Sequence, residues 1–71
     1  SGATWANINV RIDPSAGYGY DSTEIDNMLI DMSDTITGKN IRLQGSNSGR
    51  TTASDAAVST LEGNGCNVFT N

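Results

Sequence analysis

Asp21-Ser22-Thr23-Glu24-Ile25-Asp26-Asn27-Met28-Leu29-Ile30-Asp31-Met32 is the stretch on which the fold turns. Asp21 or Ser22 reads as an N-cap, accepting a hydrogen bond from an orphan amide of the first helical turn. With Asp21 as the cap, Glu24 falls at the reciprocal position of a capping box. Ile25, Met28, Leu29 and Met32 recur at i, i+3, i+4 and i+7, which predicts one apolar helix face. Asp26, Asn27, Asp31 and Asp34 are expected mostly on the opposite, solvated face. Glu24 and Asp26 suit the positive end of the helix dipole, whereas Asp31 and Asp34 do not. The helix is predicted to stop near Thr35, with Gly38 suited to a left-handed cap.

Strand patterns flank this helix. Upstream, Trp5 to Asp13 reads as a strand, because Ile8, Val10 and Ile12 alternate with Asn7, Asn9 and Arg11. Pro14 ends it, having no amide to donate to a ladder. Ser15 to Tyr20 is a Gly/Tyr loop. Downstream, Asn40 to Gly45 predicts a second strand, with Ile41 and Leu43 inward and Arg42 and Gln44 outward. A polar loop follows. A second helix is expected from an N-cap at Ser54, with Ala57, Val58 and Leu61 on its apolar face and Gly63-Asn64-Gly65 at its end. Cys66, Val68 and Thr70 alternate with Asn67 and Phe69 in a predicted third strand.

The order β-α-β-α-β implies parallel strands joined by right-handed crossovers. Each helix has one apolar face, and each strand one apolar side. The expected architecture is therefore a two-layer α/β, solenoid-like unit: three parallel strands in the order 1-2-3, with both helices on one face. A doubly wound sheet would show continuous hydrophobic strands, which this chain lacks.

Length and composition bound the function. The chain has 71 residues, so residues 1–71 read as a single small domain. Ser1-Gly2 without Met suggests processing, an expression scar or excision, and the domain is expected to be the C-terminal part of a longer chain or fibre. The sequence has no His, which excludes His-based acid–base chemistry and the usual zinc site. One Cys, Cys66, allows no intrachain disulfide and reads as a small buried hydrophobe. The net charge is −4, and the four basic residues (Arg11, Lys39, Arg42, Arg50) are scattered. That argues against a nucleic-acid partner or an anionic membrane. The longest apolar run is Met28-Leu29-Ile30, far short of a bilayer span of about 20 residues.

The strand cores Ile8-Val10, Ile41-Leu43 and Cys66-Val68 recur at 33 and 25 residues, near leucine-rich-repeat periods. The C-terminal half sharpens this. Asn40-Ile41-Arg42-Leu43-Gln44-Gly45-Ser46-Asn47, the Ala-rich segment Thr52 to Leu61, and Gly63-Asn64-Gly65-Cys66-Asn67-Val68 together resemble the C-terminal cap of irregular leucine-rich-repeat proteins of bacteriophage virions and bacterial surfaces. In that cap a strand with a Leu-x-Gly-x-Asn turn leads to an Ala-rich helix and then to Gly-Trp-Thr-Val-Thr. The resemblance covers roughly Thr23 to Asn71. Cys66 stands where the pattern has Trp, and Arg50-Thr51 replaces a Pro-containing turn. The resemblance implies a structural tail closing a solenoid, set in a virion fibre or tail protein, or alternatively on a bacterial cell surface or in a secreted protein.

The candidate sites follow from chemistry and placement. No catalytic, cofactor-binding or metal-ligating residues are expected, and no cofactor. Asp13, Asp21 and Glu24 flank the Gly-rich loop, but their spacing matches no EF-hand. The helix acids are explained by capping and solvation. If one side of the sheet packs on the helices, the other presents Asn9, Arg11, Arg42, Gln44, Asn67 and Phe69, a contact face suited to sugar hydroxyls or a protein. Tyr18 and Tyr20 form a candidate contact loop, since Tyr offers large amphipathic area at low entropy cost. The expected partners are a protein partner or self, as a homo-oligomer, or a surface glycan or host receptor.

Overall fold

The computed structural model describes residues 5–71; the Ser1-Gly2 start lies outside the described residues. The elements are strand β1 (Val10–Arg11), helix α1 (Ser22–Met32), strand β2 (Asn40–Leu43), a 3-10 turn (Thr52–Ser54), helix α2 (Asp55–Gly63) and strand β3 (Asn67–Thr70). The sheet order is β1-β2-β3, and both pairings are parallel. The parallel three-strand sheet with two crossover helices is the α/β class that the alternating pattern predicts.

Helix α1 begins as its sequence dictates. Glu24 N–H donates to Asp21 Oδ1 at 2.8 Å, and Asp21 N–H donates to Glu24 Oε1 at 3.1 Å, closing the capping box. The helix gives out after Met32, slightly earlier than the predicted Thr35, and Gly38 takes a positive φ of 64°. Ile25, Leu29 and Met32 are buried against Ile41 and Leu43 of β2, Val10 of β1, and Ala57, Val58 and Leu61 of α2. Ile36, beyond the end of α1, is fully buried in the same core, although its position outside any periodic segment gives it no sequence signature.

The register corrects two sequence expectations. Val10 pairs with Ile41, and Ile41 pairs with Val68. The repeating core is thus Val10, Ile41 and Val68, not Ile8, Ile41 and Cys66. Ile8 lies outside the ladder and is 55% exposed, so it does not face the helices. Cys66 precedes β3; it is buried, with its thiol directed at the Ile36 carbonyl at 3.6 Å. A shift of two residues leaves the side chains within the ladder on their predicted faces, which is why alternation alone fixes face but not register.

The first strand is also shorter than the predicted Trp5 to Asp13. Side chains take over where its backbone pairing stops. Thr37 N–H donates to Asn7 Oδ1 at 2.9 Å and Asn40 N–H to Asn9 Oδ1 at 3.0 Å. At the other end, Gln44 N–H donates to Asp13 Oδ1 at 3.3 Å. Asparagine and aspartate oxygens here imitate a backbone carbonyl.

Two acids expected on a solvated face are buried: Asp26 and Asp31. Asp26 faces the start of α2. Ser54 Oγ donates to its Oδ1 at 2.6 Å, Thr51 N–H to Oδ1 at 2.9 Å, and Thr51 Oγ1 to Oδ2 at 2.5 Å. Ser54 stands at the N-cap position of α2 as its sequence predicts, but its hydroxyl is turned to Asp26 and makes no cap bond, while Thr51 caps the 3-10 turn by accepting from Ala53 N–H at 3.1 Å. Burial pushes the Asp26 carboxyl up, but the donors from Ser54 and Thr51, with the nearby Arg50 charge, outweigh it. They hold the carboxyl below the ordinary value.

Candidate functional site

The side of the sheet away from the core is built row by row. Because strand side chains alternate, Arg42 is exposed between the buried Ile41 and Leu43. Register places Arg11 beside Arg42, and Arg42 beside Phe69. The Arg42 guanidinium lies over the Phe69 ring, 4.6 Å from its centroid, and the ring remains 38% exposed. Arg42 makes no hydrogen bond to an acceptor among the described residues. Arg11 turns its Nε to Asp13 Oδ2 at 2.6 Å. The Arg11 hydrogen bond leads the causes that lower the Asp13 carboxyl, and the Arg42 charge contributes from the neighbouring strand.

Next to this row lies a row of amides. Asn67 Nδ2 donates to Asn40 Oδ1 at 3.0 Å, between register partners. Asn9 joins differently: its oxygen is taken by the Asn40 backbone amide, and its Nδ2 has no hydrogen-bond partner among the described residues. On the far side of the arginine row is Gln44, half-buried, with no hydrogen bond at its side chain among the described residues. Arg11, Arg42, Asn67 and Phe69 therefore come together as the alternation predicts, with Asn9 and Gln44 at the margins. Asn40 and Asp13 belong to the same surface. Asn40 was legible from alternation, whereas Asp13 is placed only by its bonds to Arg11 and Gln44.

The Tyr loop is a separate region at the carboxyl ends of the strands. Tyr18 is 78% exposed and Tyr20 about half that. The loop is anchored, not slack. A Cβ at Gly19 would overlap the Ser46 carbonyl, and Tyr20 N–H donates to Asn47 Oδ1 at 3.0 Å. Asn47 is buried and donates its Nδ2 to the Ile12 carbonyl at 2.8 Å. Asn71 Nδ2 bridges the Gly45 and Asn47 carbonyls at 2.9 and 2.8 Å. These two asparagines tie the loops together; the only sequence trace of Asn47's role is its place in the Leu43-x-Gly45-x-Asn47 turn.

An open depression of about 650 Å³ is lined by Arg50, Thr51, Thr52, Asp55, Thr70 and Asn71, but its two charges bind each other at 2.6 Å. Asp21 and Glu24 are engaged in the capping box and Asp13 with Arg11. Among the described residues no three His, Cys, Asp or Glu side chains gather in a way that could hold a metal ion. No helix among them is long and apolar enough to cross a membrane. Comparisons with protein-family models, with curated proteins and with solved structures give no match.

Proposed function

We propose that the chain is a non-enzymatic structural and adhesive module. It closes a leucine-rich-repeat-like solenoid, and it turns the Arg11–Arg42–Phe69 side of its sheet toward a receptor or a partner subunit. One observation carries the reading: among the described residues no element covers this side of the sheet, where Arg11, Asn40, Arg42, Asn67 and Phe69 are exposed and their polar groups only partly used. The solenoid part draws on the in-line strand order, with Val10, Ile41 and Val68 stacked in register and one helix per crossover. Each unit of that kind adds a strand to an edge that the next unit covers. A virion fibre or tail is the setting favoured by the resemblance of residues 23–71, with a bacterial cell surface as the alternative. A second copy of the chain is a further candidate partner.

The test is adhesion. Phe69→Ala and Arg42→Ala proteins that retain the wild-type circular dichroism spectrum are expected to lose binding to host cells or surface glycans. Unchanged binding by both removes the sheet face from the proposal. Light scattering at high concentration addresses self-association, and a strict monomer rules the homo-oligomer out.

A further inference from the structure

We infer that the open sheet face takes an acidic polysaccharide, with the Arg42 guanidinium receiving a sugar carboxylate. The inference rests on the adhesive reading and specifies its ligand. Its starting point is an electrostatic cost. Arg11 and Arg42 are register partners on adjacent strands, and like charges directly opposite destabilise a sheet. Asp13 offsets Arg11 through the 2.6 Å contact and Arg42 only at longer range, and Arg42 has no hydrogen-bonded acceptor among the described residues. A cation is thus concentrated on one face of a chain whose net charge is −4. An anionic occupant removes the repulsion.

Geometry selects a carboxylate. A guanidinium is a planar fork that pairs with a carboxylate through two parallel hydrogen bonds. The contact with the Phe69 ring restrains the Arg42 side chain, so less of its freedom remains to be lost on binding. The neighbouring groups select a sugar. Among the described residues, Asn67 donates to Asn40 and its own side-chain carbonyl is unused, the NH2 groups of Asn40 and Asn9 are unused, and so are both ends of the Gln44 amide. Such a mixture of fixed donors and acceptors complements hydroxyls, which both donate and accept. A peptide is the poorer match, because extended peptides bind along a sheet edge or in a groove, and this surface is neither.

Calorimetric titration with hexagalacturonate, its fully methyl-esterified form and hexaglutamate tests the inference. The acid should bind at least about tenfold more tightly than the ester, as expected for loss of one charge-assisted bidentate pair. Arg42→Ala should weaken the acid by a similar factor with the circular dichroism spectrum unchanged. Arg42→Lys, which keeps the charge and loses the fork, should fall between. Binding should weaken as NaCl rises. Equal affinity for acid and ester, or no effect of Arg42→Ala, overturns the inference. So does hexaglutamate binding as tightly as the sugar acid, or no binding of hexagalacturonate at all. Cell adhesion that survives Arg42→Ala but is lost in Phe69→Ala overturns the acidic ligand and leaves the adhesive reading standing.

Discussion

Asp26 and Arg42 sit on opposite sides of the same small sheet, and their surroundings differ in one respect. Asp26 is buried between α1 and the start of α2, with Thr51 and Ser54 supplying a backbone N–H and two hydroxyls to its oxygens. Arg42 is exposed, set over the Phe69 ring and without a hydrogen-bonded acceptor among the described residues. The first charge is consumed in holding two helices together, and the second is left over. The contrast separates polar residues that build the fold from polar residues able to meet a partner.

Removing the Asp26 carboxylate is the strongest way to break the contrast. Asp26→Ala takes the acceptor from the buried Ser54 hydroxyl and from the partly buried Thr51 amide and hydroxyl, and should cost about 3 kcal/mol. A domain of 71 residues has little more than that in total. Urea denaturation should find the variant largely unfolded or with a sharply lowered midpoint; a midpoint equal to wild type would show that Asp26 is not a clamp.

Next in size is Gly45→Ala, expected to cost about 1–3 kcal/mol. Gly45 has φ of 61°, and a Cβ there would lie 2.7 Å from the Asp13 carbonyl carbon. Thermal melts of this variant beside Gly17→Ala isolate the close approach, since Gly17 also has positive φ but open space around it.

Acid gives a third, graded test. The folded-state value of Asp26 is depressed below its ordinary 3.8, so its contribution is complete above that value. It is lost as pH falls through the lower folded-state value. Stability measured from pH 6 down to pH 2 should drop in that acid window, and Asp26→Asn should flatten this part of the profile. An unaltered profile in the variant assigns the acid sensitivity to another group.

The smallest effect is expected on the open face. Arg42→Ala loses the contact with Phe69 but relieves the repulsion with Arg11 and breaks no hydrogen bond among the described residues, so stability should change by no more than about 1 kcal/mol. A loss above 2 kcal/mol would make Arg42 a structural residue and erase the contrast with Asp26.

Much of this was legible in the chain. The Asp21–Glu24 spacing set the start of α1, and Gly38 and Gly65 were suited to the positive φ they adopt after α1 and α2. Alternation placed Arg42, Asn67 and Phe69 on one side. The Asp26 clamp was hidden because a helical pattern marks only the apolar stripe. How much of the adjoining arc is covered depends on the next helix, here the turn carrying Thr51 and Ser54. Ser54 looked like a cap for the same reason: its hydroxyl suits either role, and the nearby carboxylate decided between them.

By itself the sequence determined the element order, the parallel sheet and the face of nearly every strand residue. These follow from short-range periodicity and capping, which act within a few residues. Only the tertiary structure decided the register, the brevity of β1, the burial of Asp26 and the stacking of Arg42 on Phe69. Each of those joins residues some 25 or more positions apart, and no local pattern encodes which of several chemically suitable partners will stand opposite.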